Sequence, residues 1–283
     1  MSKFQIQTNH YNPCDNSIIF EEYFGMKYRD SDRKETDRVY LPCYWTNYYV
    51  SKGHATEDMS DLQEELNALP RDRSYFTISQ WDDGILQDIS DLDIFIYGQG
   101  GYGDYAIPLN CIPHGSHPTK FDLKPNLASF VGSIAGRHPV REKMAKALAS
   151  EKDILIEDRM GKGTFYKFTK AMHESKFALC PRGYGKTSFR ICEALEVGVI
   201  PVYIYDEPWI PFEDILPFGA YGIKCHIDNI ENLPEMMRSI VADKDLFKTM
   251  KKNGEIAYNR FYSYEGCRQQ ILKMERKHNE KNK

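Results

Sequence analysis

A chain of 283 residues, of which 41% are hydrophobic and 28% charged, has the composition of a globular protein with room for two domains. The formal net charge of −4 argues against nucleic acid as a partner, because nucleic-acid-binding proteins neutralise phosphates with Lys and Arg. No stretch approaches the ~20 apolar residues that span a bilayer, and the first ten residues lack the apolar core of a signal peptide. We therefore expect a cytoplasmic protein without a membrane span. Its seven cysteines show no metal-ligand spacing and predict free, buried thiols.

The first half of the chain predicts a less regular α/β domain over residues 1–123. Its predicted elements are strands over 39–50, 74–79 and 92–97 and a helix over 61–69. The last of these strands runs into a glycine-rich stretch over 98–104, which leaves room for a ligand or another backbone, or forms a flexible hairpin. Three prolines and no periodicity over 111–125 then predict a connection between domains.

The second half predicts a nucleotide-binding domain over residues 124–283. Apolar runs alternate with helical patterns as β-α-β-α-β, which is typical of a doubly wound parallel sheet. A closing helix is expected near 256–276, and we expect it to pack on the first domain. The other predicted elements are strands over 127–132, 153–156, 177–180 and 200–205 and helices over 141–149 and 188–197.

The most informative segment, residues 176–206, reads as strand, glycine-rich turn, helix and strand. Residues 177–180 form a short apolar strand, and the glycines that follow permit a tight turn. Thr187 or Ser188 can N-cap the helix after that turn. Residues 200–205 are an apolar, β-branched run of the kind found in parallel sheets buried on both faces.

Three cations lie in or just after this turn, at Arg182, Lys186 and Arg190. Together with the N–H groups of the helix N-terminus they predict a phosphate or diphosphate site beyond the strand end. Glu193, one turn into the helix, can accept hydrogen bonds from a ribose. The alternative is a capped surface helix with solvated charges, in which Arg190 and Glu193 form an i,i+3 ion pair.

The same segment carries three motifs in order: CPRG at 180–183, SFRICEAL at 188–195 and GVIPV at 198–202. This order resembles the donor-site signature of the exostosin family of glycosyltransferases. The resemblance extends over roughly residues 39–265, with further similarity at 75–84, 98–108 and 127–132.

The resemblance implies a GT-B architecture, in which two facing Rossmann-like α/β domains enclose a deep cleft. It also implies that the second domain binds a nucleotide-sugar and the first an acceptor, an oligosaccharide or glycoprotein glycan. The family is generally inverting and needs no bound metal, so no metal ligand or cofactor is expected beyond the UDP-sugar donor. A compact chain without an anchor resembles exostosin-like proteins of large algal viruses, among them a xylosyltransferase. That similarity implies UDP-xylose as donor and a β-xyloside as product.

Inverting transfer needs a base for the acceptor hydroxyl and positive charge for the departing diphosphate. We predict Asp82 or Asp83 as the base, with Asp104 and His114 as alternatives, although each is also an ordinary turn residue. The resemblance makes Arg190 a phosphate ligand and Glu193 a ribose ligand. The full predicted donor site comprises Arg137, Arg141, Arg182, Gly183, Tyr184, Lys186, Thr187, Ser188, Arg190 and Glu193.

Two other functions compete with this interpretation. Gly185-Lys186-Thr187 ends a Walker A pattern and suggests a P-loop kinase, but Cys180 stands where that motif needs its first glycine. A non-catalytic glycan-binding protein of the same fold is the second alternative. The Asp91-Leu92-Asp93 triplet matches the metal-binding DxD motif of GT-A enzymes, but its place at a strand start favours capping or solvent exposure.

Overall fold

The computed structural model describes residues 18–29, 32, 36–111, 124–135, 138–159 and 164–281. Contacts divide the chain into two units, residues 1–112 with 263–283 and residues 113–262. The domain boundary predicted after residue 123 lies at the end of a segment outside the described residues, and it stays a prediction. Across the described ranges, no helix has the length and apolar character needed to cross a membrane.

Strands and helices alternate strictly from residue 126 to residue 205. The strands are β1 (Val39–Tyr40), β2 (Tyr75–Ser79), β3 (Ile94–Gly98), β4 (Tyr105–Ala106), β5 (Asn126–Gly132), β6 (Ile154–Asp158), β7 (Ser175–Pro181), β8 (Ile200–Tyr205) and β9 (Ile223–His226). The helices are α1 (Phe20–Lys27), α2 (Trp45–Ser51), α3 (Ser60–Asn67), α4 (Pro139–Ala147), α5 (Thr164–His173), α6 (Phe189–Glu196), α7 (Leu233–Ala242), α8 (Lys244–Ala257) and α9 (Tyr264–Lys281).

The first unit is built on a parallel sheet in the order β1-β2-β3-β4. Helices α2 and α3 supply aromatic and leucine side chains to its core, and the Trp45 indole N–H donates to Thr77 Oγ1 of β2 at 2.9 Å. Helix α9 belongs to the same unit, where the Tyr97 hydroxyl donates to the buried Glu275 carboxylate at 2.7 Å. Because β3 and β4 pair in parallel, the glycine-rich stretch between them does not form a hairpin.

The strand predicted over 39–50 is wrong for most of its length. Only Val39–Tyr40 is a strand, and Trp45–Ser51 forms helix α2. Tyr, Trp, Thr and Val favour strands in isolation. Here, however, Trp45, Tyr48 and Tyr49 are spaced i, i+3 and i+4, which buries all three rings on one helix face. The other elements predicted in this half are confirmed, with ends shifted by up to two residues.

The closing helix starts later than predicted. Residues Tyr258–Tyr262 form a π-helical turn, and α9 begins at Tyr264. The Ser263 hydroxyl accepts a hydrogen bond from the Gly266 N–H at 3.1 Å, so a serine cap starts a new helix at this point.

The second unit is a five-stranded parallel sheet in the order β6-β5-β7-β8-β9. This is the doubly wound arrangement predicted from the alternating pattern, and its strand order reverses between β5 and β7. Ligands of such sheets bind beyond the carboxyl ends of the strands at the reversal. The α/β class is therefore confirmed, and two units with parallel sheets are the composition that the GT-B prediction requires.

Six cysteines lie in the described part of the chain, and all six are free and buried. This confirms the sequence prediction for those six, while Cys14 lies outside the described residues. Burial raises the pKa of the Cys180 thiol to about 12, so this thiol stays protonated at neutral pH.

Candidate anion-binding site at the strand reversal of the second sheet

The predicted phosphate loop lies at the carboxyl end of β7, beside the strand reversal. The Gly183 N–H donates to the Thr187 carbonyl at 3.3 Å and closes the loop over residues 182–187. Ser188 then N-caps α6, because its hydroxyl accepts a hydrogen bond from the Arg190 N–H at 3.3 Å. Of the two predicted caps, the structure therefore uses Ser188, and Thr187 is buried.

Arg190 projects from the first turn of α6 toward the end of β5. Its guanidinium lies 4.4 Å from the ring centroid of Phe130 and 4.6 Å from that of Phe168, and Nη2 donates to the Val131 carbonyl at 2.8 Å. The Nε and Nη1 atoms are buried and have no hydrogen-bond partner. Burial lowers the pKa of Arg190, while the charge of Glu193 raises it. No carboxylate of the described residues forms an ion pair with Arg190, so the alternative i,i+3 pair is not formed.

Arg182 forms hydrogen bonds within the loop itself. Its guanidinium donates to Asp206 Oδ1 at 2.7 Å, to the Gly185 carbonyl at 3.2 Å and to the Tyr184 carbonyl at 2.8 Å. The side chain is almost fully buried. This geometry places Arg182 under the loop as a support, and its predicted contact with phosphate stays a prediction.

Lys186 closes the other side of the loop. Its ammonium pairs with Glu207 Oε2 at 2.9 Å, and Glu207 is the more exposed partner. The Tyr203 hydroxyl of β8 donates to the Lys186 carbonyl and accepts from the Trp209 N–H at 3.2 Å. The Tyr203 hydroxyl thus links the loop that follows β7 to the loop that follows β8.

Arg141 reaches the same loop from α4. Its Nε donates to the Arg182 carbonyl at 3.1 Å, and Nη1 donates to the Ser133 carbonyl at 2.9 Å. A Cβ at Gly183 would lie 3.2 Å from Arg141 Nη2, so the absence of a side chain at Gly183 leaves space for this guanidinium. Arg137, also predicted for this site, lies outside the described residues.

Two residues at the site were missed by the sequence analysis, His138 and Asp206. The His138 side chain caps α4 by accepting from the Val140 N–H at 3.3 Å, and its Nε2 lies 3.9 Å from Asp206 Oδ2. Burial and the charges of Arg182 and Arg141 lower the pKa of His138, although Asp206 partly offsets them. Burial alone would raise the pKa of Asp206, but the hydrogen bond and charge of Arg182 hold it below its usual value. Their positions in the sequence could have indicated both residues. Asp206 directly follows β8 and His138 directly precedes α4, and the loops at these strand ends converge.

The structure thus brings most of the predicted donor residues to one end of one sheet. Tyr184 is 67% exposed at the tip of the loop, and Glu193 lies partly buried one turn into α6.

The predicted bases belong to the first unit. Asp82 and Asp83 lie in a turn closed by the Gly84 N–H donating to the Trp81 carbonyl at 3.1 Å, with Asp82 half-buried and Asp83 exposed. The alternative base Asp104 uses its carboxylate to accept from the Ile96 N–H at 2.7 Å, as expected of a turn residue.

Two candidates of the first half remain, His114 and the DxD triplet. The other alternative base, His114, lies outside the described residues. In the DxD triplet, the Asp93 carboxylate accepts a hydrogen bond from the Ser74 hydroxyl. Throughout the described residues, no group of three or more His, Cys, Asp and Glu side chains is arranged to hold a metal ion.

Comparison with known proteins identifies a domain over the part of the chain that holds this site. Residues 103–240 match the Exostosin GT47 domain. The matched span includes both strands of the reversal and the loop with its supporting residues. It supports the resemblance to the exostosin family of glycosyltransferases.

Curated plant relatives each match part of the chain. A probable glycosyltransferase of Arabidopsis thaliana is 35% identical over 118 residues, which are 41% of this chain and 22% of the relative. A second one from that plant is 30% identical over 169 residues, 59% of this chain and 32% of the relative. A probable glucuronosyltransferase of Oryza sativa subsp. japonica is 38% identical over 77 residues, 27% of this chain and 19% of the relative. The chain therefore spans less than a third of the length of these relatives.

Solved structures give a weaker likeness. A glycosyltransferase from Rickettsia africae aligns with 96% of this chain and 84% of its own, at 9% identity and a TM-score of 0.47. Anabaena HepE in complex with UDP-glucose aligns with 90% of this chain and 81% of its own, at 10% identity and a TM-score of 0.43. With both TM-scores below 0.5, we draw no conclusion from these likenesses.

Proposed function

We propose that the protein is an exostosin-family glycosyltransferase, which binds a nucleotide-sugar at the strand reversal of the second sheet and transfers the sugar to a hydroxyl group. The observation that carries the proposal is Arg190, a guanidinium held between two aromatic rings with two buried donors unpartnered. A buried charge without a counter-ion is costly, and an anionic ligand removes that cost. The Exostosin GT47 match over residues 103–240 supports the same assignment.

The arrangement suits a diphosphate better than a single carboxylate. Positive charge comes from Arg190, from Lys186 and from the N-terminus of α6, which begins directly after the loop. Lys186 is now paired with Glu207, and a phosphate oxygen can replace that exposed carboxylate. Glu193, one turn further along α6, is the proposed acceptor of hydrogen bonds from the ribose hydroxyls.

The mechanism we propose is inverting and metal-independent. As the bond between the sugar and the diphosphate breaks, negative charge grows on the leaving oxygen, and the cations and the helix N-terminus stabilise it. Asp82 or Asp83 is the proposed base, which removes the proton of the acceptor hydroxyl as that hydroxyl attacks the anomeric carbon. Attack opposite the leaving group turns the α-linked sugar of the donor into a β-glycoside.

For the donor we propose UDP-xylose, on the resemblance to compact exostosin-like proteins, and an oligosaccharide or glycoprotein glycan as acceptor. UDP-glucuronate is the second candidate, because the rice relatives are named probable glucuronosyltransferases. The contacts we propose are with the nucleotide part of either donor, so they do not discriminate between the two sugars.

A ligand screen with a matched pair of variants tests the proposal. The melting temperature is measured with EDTA present, in UDP, GDP, ADP, UDP-xylose, UDP-glucuronate and UDP-glucose, for the wild type, Arg190→Gln and Arg238→Gln. Arg238 is a suitable control because it pairs with Glu151 and Asp153 on the surface of the same unit. We expect UDP and one UDP-sugar to raise the melting temperature of the wild type and of Arg238→Gln, but not of Arg190→Gln.

Product analysis then tests the chemistry. Transfer to a glycan acceptor, followed by NMR of the anomeric proton, should give a β-linkage, and Asp82→Asn or Asp83→Asn should abolish it with UDP binding retained. Stabilisation by ATP with Mg²⁺ but not by UDP would contradict the proposal and favour the P-loop alternative. UDP binding without hydrolysis or transfer of any UDP-sugar would favour the non-catalytic glycan-binding protein.

A further inference from the structure

One carboxylate joins the loops that follow three neighbouring strands of the second sheet. Asp206, directly after β8, accepts from Arg182 Nη1 at 2.7 Å and from the Glu207 N–H at 2.9 Å. Its Oδ2 atom faces His138 Nε2, at 3.9 Å, in the loop that follows β5. Because Arg182 begins the loop after β7, the three loops converge on Asp206.

The consequence for the loop follows from the geometry of the peptide bond. Arg182 draws the carbonyls of Tyr184 and Gly185 toward its guanidinium, and the described residues contain no cis peptide bond. In a trans peptide the N–H points opposite to the carbonyl. The N–H groups of Gly185 and Lys186 therefore point away from Arg182, where they can donate to an anion.

The neutral His138 ring presents an N–H group, not a lone pair, to Asp206. Since Nδ1 accepts from the Val140 N–H, the proton of the neutral ring lies on Nε2, the atom that faces Asp206. The ring is also held by its capping role at α4, which keeps Nε2 beside the Asp206 carboxylate.

We propose that Asp206 is a positioning residue for nucleotide binding, which acts through Arg182 to hold the loop over residues 182–187 with its N–H groups toward the diphosphate. This inference rests on the proposed function of the same site. Asp206 then contributes to UDP affinity without touching UDP. Asp206 therefore affects UDP affinity only when Arg182 is present.

A double-mutant cycle on UDP affinity tests this inference, with isothermal titration of the wild type, Asp206→Asn, Arg182→Gln and the double variant. Asp153→Asn is the control, because Asp153 also pairs with an arginine, Arg238 at 2.8 Å, but lies just before β6, at the opposite end of the sheet. We expect each single variant to bind UDP about tenfold more weakly and the double variant to bind no more weakly than either, while the control stays at wild-type affinity.

A second readout separates positioning from general stability. Hydrogen exchange of the loop amides should speed up in Asp206→Asn without nucleotide, while the amides of β5 and β8 keep their protection. If Asp206→Asn does not fold, Asp206→Glu takes its place, because it keeps the charge but moves the carboxylate relative to Arg182 by one methylene group.

Three results would overturn the inference. Unchanged UDP affinity in Asp206→Asn would remove the role of Asp206. Losses that add in the double variant would mean that Asp206 acts on the ligand directly or through another group. If the wild type binds no UDP, the proposed function fails and this inference fails with it, whereas the first two results leave the proposed function intact.

Discussion

The carboxyl ends of the two parallel sheets satisfy their polar groups in opposite ways. At the end of the second sheet, cations dominate, and Arg182 and Lys186 are neutralised by Asp206 and Glu207 while Arg190 is not. At the end of the first sheet, the central titratable group is a buried acid. Glu21 of α1 is fully buried and accepts from the Gln80 N–H just beyond β2 at 2.6 Å.

The first sheet also ends in neutral polar atoms that lack partners. Ser79 Oγ, Trp81 Nε1 and Gln99 Oε1 are buried without a hydrogen bond, and all three lie at or just beyond the ends of β2 and β3. The difference teaches which ligand chemistry each sheet end can accept. The second has an unpaired positive charge, which an anion would satisfy, whereas the unpaired atoms of the first are neutral and would be satisfied by an uncharged polar group.

The largest effect is expected from Glu21→Ala, which tests the buried carboxylate of the first sheet. Glu21 also accepts from the Thr46 N–H at 3.0 Å and the Thr46 hydroxyl at 2.9 Å, so its loss leaves buried donors unpaired. We expect the free energy of unfolding to fall by about 3 kcal/mol. Urea denaturation measures it, and Glu21→Gln, which keeps an acceptor, should lose less. Equal stability of the two variants would show that the hydrogen bonds contribute nothing.

The same residue predicts a pH dependence of stability. Burial raises the pKa of Glu21 to about 8, although the hydrogen bonds from Gln80 and Thr46 lower it. The folded state therefore holds this proton where the unfolded state, near its ordinary pKa of 4.5, has lost it. Stability should thus be highest below pH 4.5 for this group, fall as the pH rises toward 8, and level off above. The difference in unfolding free energy between wild type and Glu21→Gln, followed from pH 5 to 9, isolates this contribution, and a constant difference would contradict it.

The next effect tests how the second sheet holds its unpaired cation. Arg190→Lys keeps the charge but loses the flat group that lies between Phe130 and Phe168. We expect UDP affinity to fall about tenfold, which is about 1.4 kcal/mol, with little change in melting temperature. Isothermal titration measures it, and Lys167→Arg on the exposed side of α5 is the control. An affinity equal to that of the wild type would show that charge alone matters.

A smaller effect is expected from Gly132→Ala at the end of β5. A Cβ at this position would lie 3.2 Å from Arg190 Nη2, so the guanidinium must shift by a few tenths of an ångström. UDP affinity should therefore fall about threefold. The control is Gly219→Ala, where a Cβ would meet nothing within 4 Å. If both variants bind UDP equally well, the guanidinium position is not critical.

The smallest effect is expected from Ser79→Ala. Removal of a hydroxyl that has no partner should change stability by less than about 0.5 kcal/mol. Thr77→Ala, two residues earlier on the same strand, should cost more, because the Thr77 hydroxyl accepts from Trp45 and donates to the Leu41 carbonyl at 3.0 Å. Loss of transfer activity in Ser79→Ala at unchanged stability would sharpen the comparison, since it would place an acceptor hydroxyl at the first sheet.

Local signals explain which parts of the fold could be predicted. Strand β8 is confirmed at both ends, and α6 follows its Ser188 cap, because apolar runs, glycines and caps act within a few residues. Helix α2 was missed because its aromatic residues favour strands, although the i, i+3 and i+4 spacing of its buried rings was visible in the sequence.

The candidate site was predictable as a location but not as a network. The cations were visible as residue types, yet the assignment of Arg182 to Asp206 joins positions 24 residues apart, which no local pattern specifies. His138 was overlooked for the same reason, since its neighbour Asp206 lies on another loop. The unpaired state of Arg190 also depends on Phe130 and Phe168, which come from separate elements.

The hydrogen bond between the Tyr203 hydroxyl and the backbone N–H of Trp209 has a spectroscopic consequence. Trp209 is the one tryptophan of residues 113–262, whereas Trp45 and Trp81 belong to the first unit. Since the Tyr203 hydroxyl also bonds to the Lys186 carbonyl, we expect movement of the glycine-rich loop to shift the backbone at Trp209. We therefore expect the indole emission of Trp209 to report loop movement without an added label.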